Sequence, residues 1–290
     1  MKKLLITGAS GFLGGNLCQL AQQNWDVYGT YFSQTFSLPG VTGVKVDLRE
    51  FNALKSIFQS VQPDAVIHLA AQSSPNYCQN NPQESQIINV TASCNIAGLC
   101  AEASIPCVFT STDLVFDGLN PPYKETDAVC PVNFYGQQKV MAEMGMLERY
   151  PLTAVCRMPL MFGIATTTAT SFMQPFIQTL REGKDLSLFI NEFRTPVSGK
   201  TAAQGLLLAL EKVNGIIHLG GKERASRYDF GRLLIEVLQL PDGLKACRQE
   251  DVKMAAPRPA DVSLDSSMAF ELGYAPLSLR EELEALRDEI

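Results

Sequence analysis

The feature that most constrains the fold lies at the N-terminus, where the apolar run Leu4-Leu5-Ile6 meets Thr7-Gly8-Ala9-Ser10-Gly11-Phe12-Leu13-Gly14. A short unbroken apolar run suits a strand buried on both faces of a parallel sheet. Glycine then recurs as G-x-x-G-x-x-G, and Leu17 and Leu20 continue at helical spacing. A strand that turns through glycines into a helix offers a ligand bare backbone, free N–H groups and the positive end of a helix dipole. That combination suits a pyrophosphate; the plainer alternative is a tight turn that holds nothing.

The rest of the chain alternates in the same way. The patterns predict strands at 3–7, 26–31, 43–46, 65–69, 106–111, 153–157 and 215–219, and helices at 12–23, 50–60, 84–103, 134–149, 171–182, 199–211 and 227–238. Such alternation specifies an α/β fold, a Rossmann-type doubly wound parallel sheet. Ligands of these sheets bind beyond the carboxyl ends of the strands. Thr7–Gly11, Asp47, Ala70-Ala71, Thr110–Asp113 and Met158-Pro159 all fall just past predicted strand ends, so they are expected to line one cleft. After about residue 160 the alternation loosens. Residues 1–160 are therefore expected to form a dinucleotide-type domain that also receives roughly 195–220, and 161–290 mainly a smaller lobe over the cleft.

Tyr135-Gly-Gln-Gln-Lys139 lies about twenty residues after Thr110-Ser111-Thr112-Asp113. Residues four apart share a helix face. An ammonium near a phenol favours the phenolate and lowers its pKa. A hydroxyl from Thr112 or Ser111 would hold the oxygen of a bound carbonyl. These groups together suit protonation of that oxygen as a hydride reaches the carbon.

Composition excludes several classes. A chain of 290 residues, 46% hydrophobic, can bury a large core. A net charge of −6 without a basic run argues against a nucleic-acid surface. Lys2-Lys3 precede an apolar run too short for a signal peptide, and no stretch approaches a membrane span. The cysteines (18, 78, 94, 100, 107, 130, 156 and 247) are scattered, form no CxxC pair and have only His68 and His218 as companions. They read as reduced thiols of a cytoplasmic protein, with no metal site. His68 reads as a satisfied core histidine and the Met141, Met144 and Leu147 face of the 134–149 helix as packing.

These residues carry a resemblance. TGASGFLG (7–14), VDL (46–48), PDAVIHLAA (63–71), NP (81–82), INV (88–90), STDLVFDG (111–118), PPYKETD (121–127), YGQQK (135–139), RMPLMFG (157–163) and RPADVSLD (258–265) run in order along nearly the whole chain. The chain resembles an extended short-chain dehydrogenase/reductase, most closely the dTDP-4-dehydrorhamnose reductase-like group. The resemblance implies that Gly8, Ser10, Gly11, Phe12, Leu13 and Gly14 hold the pyrophosphate. It implies that Asp47 and Leu48 meet the adenine, although Asp47 also suits a helix N-cap. Leu69, Ala70 and Ala71 would let the cofactor pass close to the backbone, with Thr110 and Met158 beside it. Thr112, Tyr135 and Lys139 match the catalytic set, with Tyr135 as proton donor and Lys139 also on the nicotinamide ribose. Asp113 matches a position beside the sugar. Arg194 and Arg258 suit a diphosphate, or equally an inter-lobe ion pair.

Tyr31 stands where an acid would select NAD. Residues 31–35 hold no carboxylate to repel a 2′-phosphate and no Arg or Lys to attract one, while Ser33 and Thr35 can donate hydrogen bonds. NADP(H) is favoured and NAD(H) stays open. Leu160 stands where the reductases carry an aromatic sugar platform, so it reads as packing, and RMPLMFG is closer to the regulatory β-subunits of methionine adenosyltransferase. The expected activity is hydride transfer to a keto group of a nucleotide-activated sugar or another small carbonyl compound. Epimerisation and a non-catalytic cofactor-binding subunit are the alternatives. Both a monomer and a homodimer fit the resemblance.

Overall fold

The computed structural model describes residues 1–164, 166 and 168–290. Six strands, β1 (Lys3–Thr7), β2 (Asp26–Tyr31), β3 (Val41–Lys45), β4 (Ala65–His68), β5 (Cys107–Thr112) and β6 (Ala154–Met158), are joined by a seventh, Gly215–His218. All pair in parallel. Their spatial order runs from Gly215–His218 through β6, β5, β4, β1 and β2 to β3. The chain thus changes direction between β1 and β4, and a crevice opens at their carboxyl ends. This is a Rossmann-type α/β fold, and β1, β4, β5 and β6 are buried along nearly their whole length because helices cover both faces.

Two cores flank the sheet. On one face α1 (Phe12–Ala21) sets Leu13, Leu17, Cys18 and Ala21 against Leu4, Ile6, Val108 and Cys156. The helix Gly199–Lys212 packs beside α1 and leads into the seventh strand, so residues 199–218 return to the first lobe, as do Ala269 and Tyr274. On the other face α2 (Phe51–Val61) and the helices Ala92–Ala103 and Phe134–Arg149 cover Leu5, Val66, Phe109 and Val155. The smaller lobe has its own core, in which Phe162 and Phe172 each lie 5.0 Å from Phe230.

Several expectations are corrected. The predicted helix over 84–103 is broken into Pro82–Gln86, a π-helical turn Ile87–Thr91, and Ala92–Ala103. The cause is Asn89. It is fully buried and turns inward to bond both backbone groups of Gln72 (2.8 and 3.1 Å) and Gln138 Oε1 (2.8 Å). The wider turn points this side chain off the helix ladder. Met141 and Met144 do not pack: they are exposed, and Ala142 and Met146 form the buried face while Leu147 is half-buried. The small lobe also holds a parallel pair, Leu186–Phe189 with Leu244–Cys247, that its sequence pattern does not announce. No helix among the described residues is long and apolar enough to cross a membrane.

Candidate active site

The crevice holds a cavity of about 560 Å³ that runs from the glycine turn to Tyr135 and Lys139. At one end the turn is shaped by absent side chains. Gly8 has φ +71°, and a Cβ there would stand 2.9 Å from the Ala70 backbone; a Cβ on Gly14 would overlap the Gly8 carbonyl. Gly11, the N-cap of α1, supplies no side-chain cap. The amides of the first helical turn are therefore left for an external acceptor. Ser10, Phe12, Leu13, Leu69, Ala70 and Ala71 line the same stretch. This cradle fits a pyrophosphate.

The side of the cavity beyond β2 and β3 differs from expectation in three respects. Tyr31, Asp47 and Leu48 line the cavity, but Ser33 does not: it lies exposed outside the lining, and Phe32 stands there instead. Asp47 is not a helix cap; Glu50 occupies that position, and Asp47 Oδ1 accepts the Arg49 amide at 3.0 Å. Arg49, which sequence reasoning passed over, also lines the cavity. Its hydrogen bonds hold the Asp47 carboxyl below its usual range.

At the other end Asn133 caps the helix Phe134–Arg149, its Oδ1 accepting Gly136 N at 2.9 Å, while its Nδ2 donates to Pro257 O at 3.0 Å. Gly136 lets that helix close on the Leu114 carbonyl, where a Cβ would overlap. This closeness brings Tyr135 to the end of β5. Thr112 Oγ1 accepts Leu114 N and donates to Asp113 Oδ1, both at 3.2 Å, and Thr112 itself is not part of the cavity lining. Thr110, Ser111 and Met158 line the cavity, and the buried Ser111 Oγ has no hydrogen-bond partner. An unmatched buried hydroxyl on a residue of the cavity lining is an exception among buried polar groups, and a bound ligand is one account of it.

Lys139 behaves differently from expectation. Its Nζ sits 4.0 Å from the Phe109 ring centroid, and burial brings its pKa down to about 7, against the pull of Glu143 and Cys78. Burial, then Asp113 and Cys78, push the Tyr135 phenol up rather than down. Desolvation thus outweighs the expected ammonium effect, and the phenol holds its proton at neutral pH. Under this pair lies His68. Thr7 Oγ1 accepts the amides of Leu69 and Ala70, so its own proton goes to His68 Nδ1 at 2.6 Å. His68 Nε2–H then donates to Ser93 Oγ (2.9 Å), which donates to Asn89 O (2.8 Å). Burial, and next the charge of Lys139, lower the imidazole to about 3, so it is a neutral core residue.

Beyond Thr112 lies a buried ionic cluster. Arg194 meets Asp113 at 3.3 Å and Glu192 at 3.5 Å, and Arg227 meets Glu192 at 3.3 Å. Arg194 Nη1 and Asp113 Oδ2 lack hydrogen-bond partners. Arg258 joins Asn76 Oδ1 (3.1 Å) and Ala256 O (3.2 Å). Asp113 and Arg194 are thus brought together, and Arg258 lies within electrostatic reach of Glu192, Arg194 and Arg227 without an ion pair to the cluster; none of the three lines the cavity. Glu192 and Arg227 went unrecognised in the sequence. Leu160 is half-buried, accepts Val197 N through its carbonyl and does not line the cavity either, unlike Met161. Among the described residues no group of His, Cys, Asp and Glu could hold a metal ion.

Parallel sheet, glycine cradle and strand-end cavity together define a dinucleotide-fold protein of the short-chain dehydrogenase/reductase type. Comparison with known proteins places it more closely: the chain belongs to the RmlD substrate binding domain family, whose model matches residues 1–290. It is 30% identical over 282 residues to methionine adenosyltransferase 2 subunit beta of Pongo abelii, covering 94% of this chain and 83% of the relative. It is also 30% identical over 290 residues to a Haloferax volcanii protein described as "Probable low-salt glycan biosynthesis reductase Agl14", covering 97% and 96%. A crystal structure described as a hypothetical dTDP-4-dehydrorhamnose reductase from Sulfolobus tokodaii matches with TM-score 0.85 and 32% identity, over 96% of this chain and 98% of that one. A Bacillus anthracis dTDP-4-dehydrorhamnose reductase in complex with NADP shares the fold with TM-score 0.89 at 21% identity, over the full length of both chains.

Proposed function

We propose that this chain is an NADP(H)-favouring oxidoreductase that reduces a keto group of a nucleotide-activated sugar. One observation carries the reading: Tyr135 and Lys139 close the same cavity that the glycine cradle opens, with Thr110 and Ser111 of β5 in the same lining. Gly8, Gly11 and Gly14 with the α1 amides would hold the pyrophosphate, and Asp47 and Leu48 the adenine. A bound reduced nicotinamide supplies the hydride. Thr112 orients the carbonyl oxygen and Tyr135 gives it a proton, a role that suits a phenol still protonated at neutral pH. Lys139 turns from the Phe109 face to the ribose hydroxyls. Asp113 and Arg194 bound the sugar side. The Sulfolobus structure and the Haloferax relative, both described as reductases, support the assignment.

A second reading, a cofactor-binding subunit without turnover, is favoured by the methionine adenosyltransferase β-subunit relatives and by Leu160 in place of an aromatic platform. Oxidation of NADPH and NADH in the presence of dTDP-4-dehydrorhamnose, with Tyr135→Phe as control, separates the two. Turnover that depends on Tyr135 supports the reductase. Dinucleotide binding with no turnover on a panel of keto-sugar nucleotides supports the subunit.

A further inference from the structure

At the adenosine end the fold brings a guanidinium to a loop that contains no cation of its own. Arg49 follows β3, and its Nε reaches both Asp47 oxygens (2.9 and 3.1 Å) while Nη2 meets Oδ2 at 2.7 Å. Its Cζ lies 5.1 Å from the centroid of the Phe32 ring, just past β2. One edge of the guanidinium is occupied by a carboxylate and one face by a ring, so the group is held in place. The other edge, Nη1 with the second Nη2 proton, has no protein acceptor among the described residues. Tyr31, Phe32, Asp47 and Arg49 all line the cavity. The end of β2 is where a sheet of this kind places the adenosine ribose.

We propose that Arg49 reads the 2′-phosphate of the dinucleotide and is the residue that sets the preference for NADP(H) over NAD(H), with Asp47 and Phe32 as its positioning groups. The inference rests on reading the cavity as a nicotinamide dinucleotide site. The chemistry is that of a planar fork: two parallel N–H donors match two phosphate oxygens, a geometry an ammonium cannot offer. No carboxylate takes the place of the acid that would bind a free 2′-hydroxyl, since that position is Tyr31. The magnitude is limited. The Arg49 side chain is 37% exposed, and Glu50 and Glu84 also act on it electrostatically. Screening and this opposing negative field point to a discrimination of about tenfold, one charge-assisted contact in a wet site.

The test is calorimetric binding of 2′,5′-ADP and of 5′-AMP to the wild-type protein, Arg49→Ala and Arg49→Lys, with melting temperatures recorded for each. Wild type is expected to bind 2′,5′-ADP about tenfold more tightly than 5′-AMP. Arg49→Ala is expected to bring the two to parity by weakening 2′,5′-ADP about tenfold more than 5′-AMP, any loss common to both reporting the freed Asp47, with an unchanged melting temperature, and Arg49→Lys to fall between. A wild-type preference that survives Arg49→Ala overturns the inference and leaves the dinucleotide site standing. Equal binding of both by wild type does the same. Failure of wild type to bind either fragment or NADPH overturns the site itself, and the role of Arg49 with it.

Discussion

Replacing Lys139 with methionine should stabilise the protein at neutral pH, although it removes a residue assigned to the reaction. Lys139 is 2% exposed, and burial takes its pKa from the ordinary 10.5 to about 7. That fall corresponds to about 5 kcal/mol of penalty on the charged form. The Phe109 face at 4.0 Å returns about 2 kcal/mol to the ammonium, which leaves about 3 kcal/mol for a hydrophobe of similar shape to recover. The pH dependence follows from the sign. Because the folded protein releases this proton first and the unfolded chain keeps it to about pH 10, the wild type gains stability as pH rises from about 7. The slope is at most about 1.4 kcal/mol per pH unit. Buried thiols act in the opposite sense above about pH 9, since burial raises Cys18 to about 12 while the unfolded thiol ionises near 9. The diagnostic quantity is therefore the difference between wild type and variant in urea unfolding at pH 7, 8 and 9. We expect Lys139→Met to be about 3 kcal/mol more stable at pH 7 and the gap to narrow with pH. A variant less stable than wild type, or a gap independent of pH, would refute the account of Lys139 as a desolvated cation. In the proposed reaction the same substitution abolishes turnover, so this lysine would be a case of stability given up at a functional site.

Other predictions bear on neighbouring groups. Tyr135→Phe should lower turnover by about two to four orders of magnitude while 2′,5′-ADP binding, read by calorimetry, stays unchanged. Glu143→Ala strips the two-point partner (2.8 and 3.1 Å) from the buried Arg157; an unfolding loss of about 3–5 kcal/mol is expected, and a loss under about 1 kcal/mol would mean that the pair contributes little. Asn89→Ala leaves the Gln72 backbone and the Gln138 side-chain oxygen unmatched. It should cost about 1–3 kcal/mol, and hydrogen exchange should quicken across residues 72 and 87–91; unchanged protection there would detach the π turn from Asn89.

What the sequence alone determined were the features with a local cause. The glycines of residues 8–14, the apolar strands and the Tyr135/Lys139 spacing are short-range patterns, so the parallel sheet and the two ends of its cavity were legible from them. Tertiary structure decided everything that depends on distance through space rather than along the chain. The register of β2 beside β3 carries Arg49 to Phe32, seventeen positions away in the sequence, and so supplies a cation that the loop after β2 lacks. Asn89 turns inward because Gln72 and Gln138 wait for it, and this widens a helix that its own residues would have continued. The cluster of Asp113, Glu192, Arg194 and Arg227 forms only where the small lobe meets the end of β5. Lys139 shows the same division. Spacing places it one helical turn from Tyr135, but the ring beneath it and the exclusion of water set its charge, and both of these are properties of the packed core.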